Sequence, residues 1–177
     1  MHTRTLHFAQ LLPPPRDELF AFFAAAENLG RITPPWLHFR ILTPTPIAMR
    51  PGALIDYRLR LHGVPLRWRT EIAEWEPPVR FVDVQLRGPY RLWVHTHTFT
   101  ATPAGTLCTD EIRYAVPGGR LVDRLFVRPQ VARIFAHRRQ ASTRCSAPPR
   151  EQRKPVLPPQ PSHTPGQPSD RSGATAR

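Results

Sequence analysis

The sequence predicts an α+β fold. An antiparallel sheet of about six to seven strands is followed by one long C-terminal helix, with two short helices after the first strand. Three observations predict it. Residues 53–75 alternate apolar and polar side chains about a tight glycine turn, as a β-hairpin does. Residues 81–114 repeat that alternation in three runs, separated by Gly88-Pro89 and Pro103-Ala104-Gly105. After Gly118-Gly119 the apolar spacing changes from two to the helical period, through Leu121, Leu125, Phe126, Val131, Ile134 and Phe135.

The elements follow in chain order. Thr3 to Leu12 alternates loosely and stops at Pro13-Pro14-Pro15, which predicts the first strand. Pro15 suits a helix's first turn, and Asp17 and Glu18 suit the positive end of its dipole. Leu19, Phe20, Phe22 and Phe23 make that helix strongly apolar. Glu27 to Ile32 predicts a second short helix, stopped by Pro34-Pro35. Phe39 to Leu42 predicts a short strand. The Pro-rich loop Thr43 to Gly52 carries Ile47 and Met49, side chains suited to covering an apolar region.

In the hairpin, a turn at Gly63-Val64 pairs Leu61 with Leu66, Leu59 with Trp68, and Tyr57 with Thr70 on the inner face. The same register sets Arg58 against Arg69, Arg60 against Arg67 and Asp56 against Glu71, all unfavourable like pairs. The turn Glu76 to Val79 places Ile72 opposite Asp83 and Thr70 opposite Gln85. A turn centred on Pro89 places Asp83 opposite His95, Gln85 opposite Trp93 and Phe81 opposite His97. The turn Pro103 to Gly105 places His97 opposite Asp110, with Glu111 taking that position if the turn is one residue longer. Val82, Val84, Leu86, Leu92 and Val94 form an equally apolar opposite face, which a loop or a partner, such as a second copy in a homodimer, would cover. The last helix is expected to end near Gln140, with Pro129 kinking it or starting a second one.

Composition sets the outer limits. The chain has 177 residues, enough for one domain with an appendage. From Arg144 onward there are eight prolines and no aromatic residue. Residues 1–141 are therefore expected to form the domain, and residues 142–177 a disordered Pro/Arg-rich tail. The net charge of +12 comes almost wholly from arginine, and favours non-specific attraction to anions without a nucleic-acid motif. Two unpaired-looking cysteines, Cys108 and Cys145, make no CxxC motif. No apolar run is long enough to span a membrane, and the start of the chain lacks a signal peptide's pattern. A soluble cytoplasmic protein is the expectation.

The predicted registers gather Asp83, Gln85, His95, His97 and Asp110 on one sheet face. Phe81, Trp93, Phe99 and Tyr114 share it, as do Tyr57 and Trp68 through the hairpin. Apolar surface holding a few convergent polar groups is the usual composition of a small-molecule site. Asp83 with His95, and His97 with Asp110, form carboxylate–imidazole pairs of the kind used in acid–base catalysis. The bland alternative is a self-satisfied polar network inside a sheet. His95 and His97 with either acid also match a two-histidine, one-carboxylate metal set.

The order of elements resembles the helix-grip fold of the START-related, pollen-allergen-like and polyketide cyclase/dehydrase superfamily, often called SRPBCC. Phe81-x-Asp83-x-Gln85-Leu86-x-Gly88-Pro89-Tyr90, Leu92-Trp93-x-His95-x-His97-x-Phe99 and Thr109-Asp110-Glu111-x-x-Tyr114 resemble a bacterial branch of it, as does Leu125-Phe126-Val127 through Ile134-Phe135. The likeness spans residues 3–139. It implies a curved sheet wrapped around the long helix, with a cavity between them for a small hydrophobic or lipid-like molecule. The implied ligand contacts are Tyr57, Trp68, Asp83, Gln85, Trp93, His95, His97, Asp110 and Tyr114. It implies no cofactor and no metal. The alternative function is a cyclase or dehydratase using the histidines and aspartates as acid–base pairs. A third class, a nucleic-acid or anionic-surface binder, would use Arg58, Arg60, Arg67, Arg69 and the basic tail. The turn Pro117 to Arg120 and Pro129 are the two departures from the family's pattern.

Overall fold

The backbone of the sheet is set by four tight reversals, which join β3 through β7 in sequence. In the computed structural model, which describes residues 2–146, seven antiparallel strands lie in the order β1-β7-β6-β5-β4-β3-β2. They are β1 (Arg4–Leu12), β2 (Arg40–Ile41), β3 (Leu54–Leu61), β4 (Val64–Glu76), β5 (Arg80–Arg87), β6 (Leu92–Thr102) and β7 (Gly105–Ala115). The helices α1 (Arg16–Ala24) and α2 (Leu29–Ile32) follow β1. A last helix carries α3 (Gly119–Val122), a π-helical segment (Asp123–Val127) and α4 (Arg128–Ser146). Curved sheet and long last helix together make the expected helix-grip architecture.

The hairpin β3–β4 turns one residue earlier than expected. His62 and Gly63 form its two-residue loop, both with positive φ (50° and 81°), the conformation whose twist matches that of the strands it joins. Register therefore moves by two: Leu59 faces Leu66, Tyr57 faces Trp68 and Ile55 faces Thr70. An even shift keeps every side chain on its expected face. It also dissolves all three expected like-charge pairs. Asp56 now faces Arg69, which donates two 2.8 Å hydrogen bonds to its carboxylate, and Arg60 faces Pro65. The shifted register creates one new like pair in this hairpin, Arg58 against Arg67, and both are exposed.

The reversals that govern the polar face fall as the sequence predicts. Ile72 faces Asp83 and Thr70 faces Gln85. Asp83 faces His95, Phe81 faces His97 and His97 faces Asp110. The β5–β6 ladder stops at Val84–Val94, so Gln85 and Trp93 are not paired. At the β6–β7 turn Gly105 has φ 125°, and an added Cβ would lie 2.2 Å from the Leu12 carbonyl oxygen. Only glycine fits where β1 ends against this turn.

The core lies between the concave face and the helices. Leu12, Leu19, Phe20, Phe81 and Phe99 pack α1 against the sheet. Ile112, Tyr114, Val116, Val131 and Phe135 pack the last helix on β7. Pro129 sits in the first turn of α4, directly after the π-helical segment. Proline has no N–H for the preceding turn, and a wider turn just before it accommodates the lost bond without ending the helix. The helix runs to Ser146, beyond its expected end near Gln140. Gln10 of β1 donates to the Arg139 carbonyl (2.9 Å) and to Thr143 Oγ1 (2.6 Å), while Ala141 and Ser142 are buried. The remainder of the expected tail lies outside the described residues. On the convex face Val82 is buried and Leu86 is exposed.

Candidate functional site

A cavity of about 170 Å³ lies between the concave sheet face and the last helix. Its floor comes from strand interiors: Tyr57 on β3, Trp68 and Thr70 on β4, Asp83 on β5, and Trp93, His95 and His97 on β6. Its rim comes from α1, α2 and the segment after them, through Phe22, Leu29, Thr33, Phe39 and Met49. Val131, Ile134, Phe135 and Arg138 of α4 form the roof. These four stand at i, i+3, i+4 and i+7, one face of a helix.

The polar floor is a four-residue ring spanning β5, β6 and β7. His95 Nε2 donates to Asp110 Oδ1 at 2.9 Å, and His97 Nε2 donates to Asp83 Oδ2 at 3.2 Å. The expected partners are also close: His95 Nδ1 lies 3.4 Å from Asp83 Oδ2, and His97 Nδ1 lies 2.9 Å from Asp110 Oδ1. The well-aligned hydrogen bonds thus run diagonally across the ladder, whereas the directly opposed pairs meet at poor angles. All four imidazole nitrogens face a carboxylate oxygen. The two rings lie 3.8 Å apart by centroid. Phe81 stacks on His97 at 4.2 Å, and Phe135 meets His95 edge-on at 5.3 Å.

The surroundings split the two imidazoles. Burial and the neighbouring His97 charge lower the pKa of His95. Burial acts against His97 too, but its contacts with Asp110 and Asp83 outweigh it and raise its pKa. Burial would raise both acids. The two imidazoles overcome this, holding Asp83 below and Asp110 well below the ordinary carboxylate range. His97 therefore keeps its second proton longer, and His95 releases one first. Beside the ring, Thr70 Oγ1 takes a hydrogen bond from Trp68 Nε1 (3.1 Å) and pairs with the Tyr57 hydroxyl (3.2 Å).

Six of the nine expected ligand contacts line the cavity: Tyr57, Trp68, Asp83, Trp93, His95 and His97. Three do not. Gln85 clamps its own turn, donating from Nε2 to the Tyr90 carbonyl at 2.7 Å and accepting from the Tyr90 N–H at 3.3 Å. Tyr114 is fully buried and donates to Asp123 at 2.7 Å, the same carboxylate that Arg4 binds. Asp110 lies behind the histidines and lines a smaller cavity of about 80 Å³ with Phe8 and Cys108. Of the two loop residues, Met49 lines the main cavity and Ile47 packs on Ala53, Ile55 and Ile72. Trp36 packs outside it, under the Arg133 guanidinium and against His137. The sequence reading missed Arg138, whose charge reaches both Asp83 and Tyr57. Its signal was present, since it stands three and four residues beyond Phe135 and Ile134 on the same helical face.

Residues 12–142 match the family described as polyketide cyclase / dehydrase and lipid transport. The chain belongs to this family. No curated protein matches it. Among solved structures, it is similar to protein CV1439 from Chromobacterium violaceum, at TM-score 0.65 and 12% identity, over 82% of this chain and 98% of that one. The ZhuI aromatase/cyclase from Streptomyces sp. R1128 gives TM-score 0.65 and 14% identity, over 82% and 94%. Ginseng major latex-like protein 151 from Panax ginseng gives 0.64 and 12%, over 82% and 99%. At these identities the likeness shows the fold alone. Membership of the polyketide cyclase / dehydrase and lipid transport family points to binding of a hydrophobic ligand or to polyketide-cyclase-like activity. Among the described residues no helix is long and apolar enough to cross a membrane.

Proposed function

We propose that the chain binds a compact amphipathic molecule, one or two fused rings with a single polar or acidic group, in the cavity between sheet and last helix. The observation that carries this is the cavity's make-up. Its walls are apolar and aromatic, and its polar groups converge on one patch: Asp83, His95 and His97 on the floor and Arg138 on the roof. Such segregation orients an amphipathic ligand. The volume of about 170 Å³ suits a small ring system and is short for a long acyl chain. Trp68 and Trp93 meet at 5.5 Å, nearly perpendicular, and present aromatic surface to the ligand's body.

A cyclase-like reaction is the second reading. It is favoured by one observation: two adjacent histidines at the cavity wall whose proton affinities are driven in opposite directions. A pair so divided can supply an acid and a base at one pH.

The test uses 2-naphthoate and 2-naphthol as probes, read by quenching of tryptophan fluorescence, with native mass spectrometry of the freshly purified chain. The expected result is one-to-one binding. Arg138→Gln should weaken 2-naphthoate about tenfold, the loss of one charge-assisted contact, and 2-naphthol much less. If neither probe binds and no small molecule co-purifies, the reading fails.

A further inference from the structure

We propose that Asp83, His95 and His97 form a binding site for a divalent transition-metal ion of the zinc, cobalt and iron(II) class, with Asp110 as the outer group that orients both imidazoles. The ring of contacts has two sides. Toward the cavity, one oxygen, Asp83 Oδ2, lies 3.4 Å from His95 Nδ1 and 3.2 Å from His97 Nε2. Away from it, one oxygen, Asp110 Oδ1, lies 2.9 Å from each of the two remaining nitrogens, His95 Nε2 and His97 Nδ1.

The cavity-side spacing fits an ion. Metal–ligand bonds of about 2.0–2.2 Å hold neighbouring ligand atoms between about 2.8 Å (octahedral) and about 3.6 Å (tetrahedral) apart. Both distances to Asp83 Oδ2 fall in that interval. Asp83, His95 and His97 can each offer one ligand atom with all three within 4.8 Å of one another, so a small ring rotation closes the third edge. Two imidazoles and one carboxylate leave further coordination positions, which here open on the cavity.

The outer side fits as well. A ligating histidine keeps its other nitrogen protonated, and a carboxylate that accepts that proton fixes the ring. Asp110 Oδ1 stands where it can serve both rings at once. Binding needs only that the His97 proton reside on Nδ1, facing Asp110, instead of on Nε2, facing Asp83. Charge also balances: two half-buried carboxylates and two neutral imidazoles carry −2, which a divalent ion cancels. Asp83 and Asp110 lie on different strands, β5 and β7, and β6 holds both histidines between them, so the sheet itself fixes the order inner acid, imidazoles, outer acid.

This site shares its residues with the ligand reading but needs no organic molecule. The test uses the untagged full-length chain stripped with EDTA, titrated with Co²⁺ and followed by its visible absorption, then displaced with Zn²⁺. The expected result is one Co²⁺ per chain, with a raised thermal midpoint that EDTA reverses. Asp83→Asn should abolish the stoichiometric site. Asp110→Asn should keep it and weaken it about 10–100-fold. Binding left unchanged by Asp83→Asn would place the ion on exposed histidines and overturn the proposal. So would the absence of both one-to-one binding and a thermal shift in the unmodified chain, a result that does not depend on how either variant folds. Probe binding of 2-naphthoate measured in EDTA separates failure of this site from failure of the cavity.

Discussion

Tyr114→Phe separates a structural anchor from a ligand contact. Tyr114 has no exposed surface, and its hydroxyl donates at 2.7 Å to Asp123, which is itself 2% exposed. Arg4 binds the other carboxylate oxygen. The substitution removes one oxygen and leaves Asp123 Oδ1 without its donor. A hydrogen bond to a buried charged group contributes about 1.5–3 kcal/mol, and the unsatisfied acceptor sets the upper end. For a domain of this size that is a fall of about 3–12 °C in thermal midpoint. Urea unfolding followed by circular dichroism reads the loss directly. Affinity for 2-naphthoate should not change, because Tyr114 does not line the cavity. Unchanged stability combined with lost probe binding would refute the assignment of Tyr114 to the joint between β7, β1 and the last helix.

The metal-free chain should lose stability in acid through Asp110. Its folded pKa lies well below the ordinary value because, although burial would raise it, its close contacts with the His95 and His97 imidazoles outweigh burial. It therefore stabilises the fold fully above the unfolded value of about 3.9, and this contribution is lost as pH falls from there through the folded value. Urea midpoints taken at about pH 5 and about pH 3 should fall further for the native chain than for Asp110→Asn, and equal falls would contradict the cited contacts. Cys108 gives an independent check on packing. Burial, aided by the nearby Asp110 charge, pushes its thiol up to about 12. Peptide mapping after iodoacetamide treatment near neutral pH should show slow alkylation of Cys108 in the folded chain and rapid alkylation in urea, since the thiolate is the reactive form. Equal rates would show the site to be open.

Much of the polar floor was legible in the sequence because turn position fixes register, and register fixes which residues share a face. The Glu76–Val79, Pro89 and Pro103–Gly105 reversals each place a specific pair, and Asp83–His95 and His97–Asp110 follow from them. The expected hairpin register is two residues out because Gly63 shares its turn with His62 and not with Val64. His62 accepts a left-handed backbone that its side chain does not advertise. Alternation survives such an error and pairing does not. Side-chain direction was less legible. Periodicity puts Gln85 and Tyr114 on the concave face, but not whether each reaches a ligand, a turn amide or a buried acid. The diagonal hydrogen bonds depend on ring rotation, which no spacing encodes. Near a helix end a cation also suits the helix dipole, so the charge of Arg138 does not by itself mark it as facing the cavity, although its place on the Val131–Ile134–Phe135 face is readable from spacing.

The division of the cavity between a floor held in the β-ladder and a rim carried by short helices and a loop governs how such a protein diversifies. Asp83, His95 and His97 cannot shift by one position without turning two strands inside out. Phe39 and Met49 sit on connecting backbone that tolerates exchange and insertion. Across descendants of this chain, preference for one guest molecule over another should therefore be rewritten at the doorway, while the chemistry beneath is inherited intact.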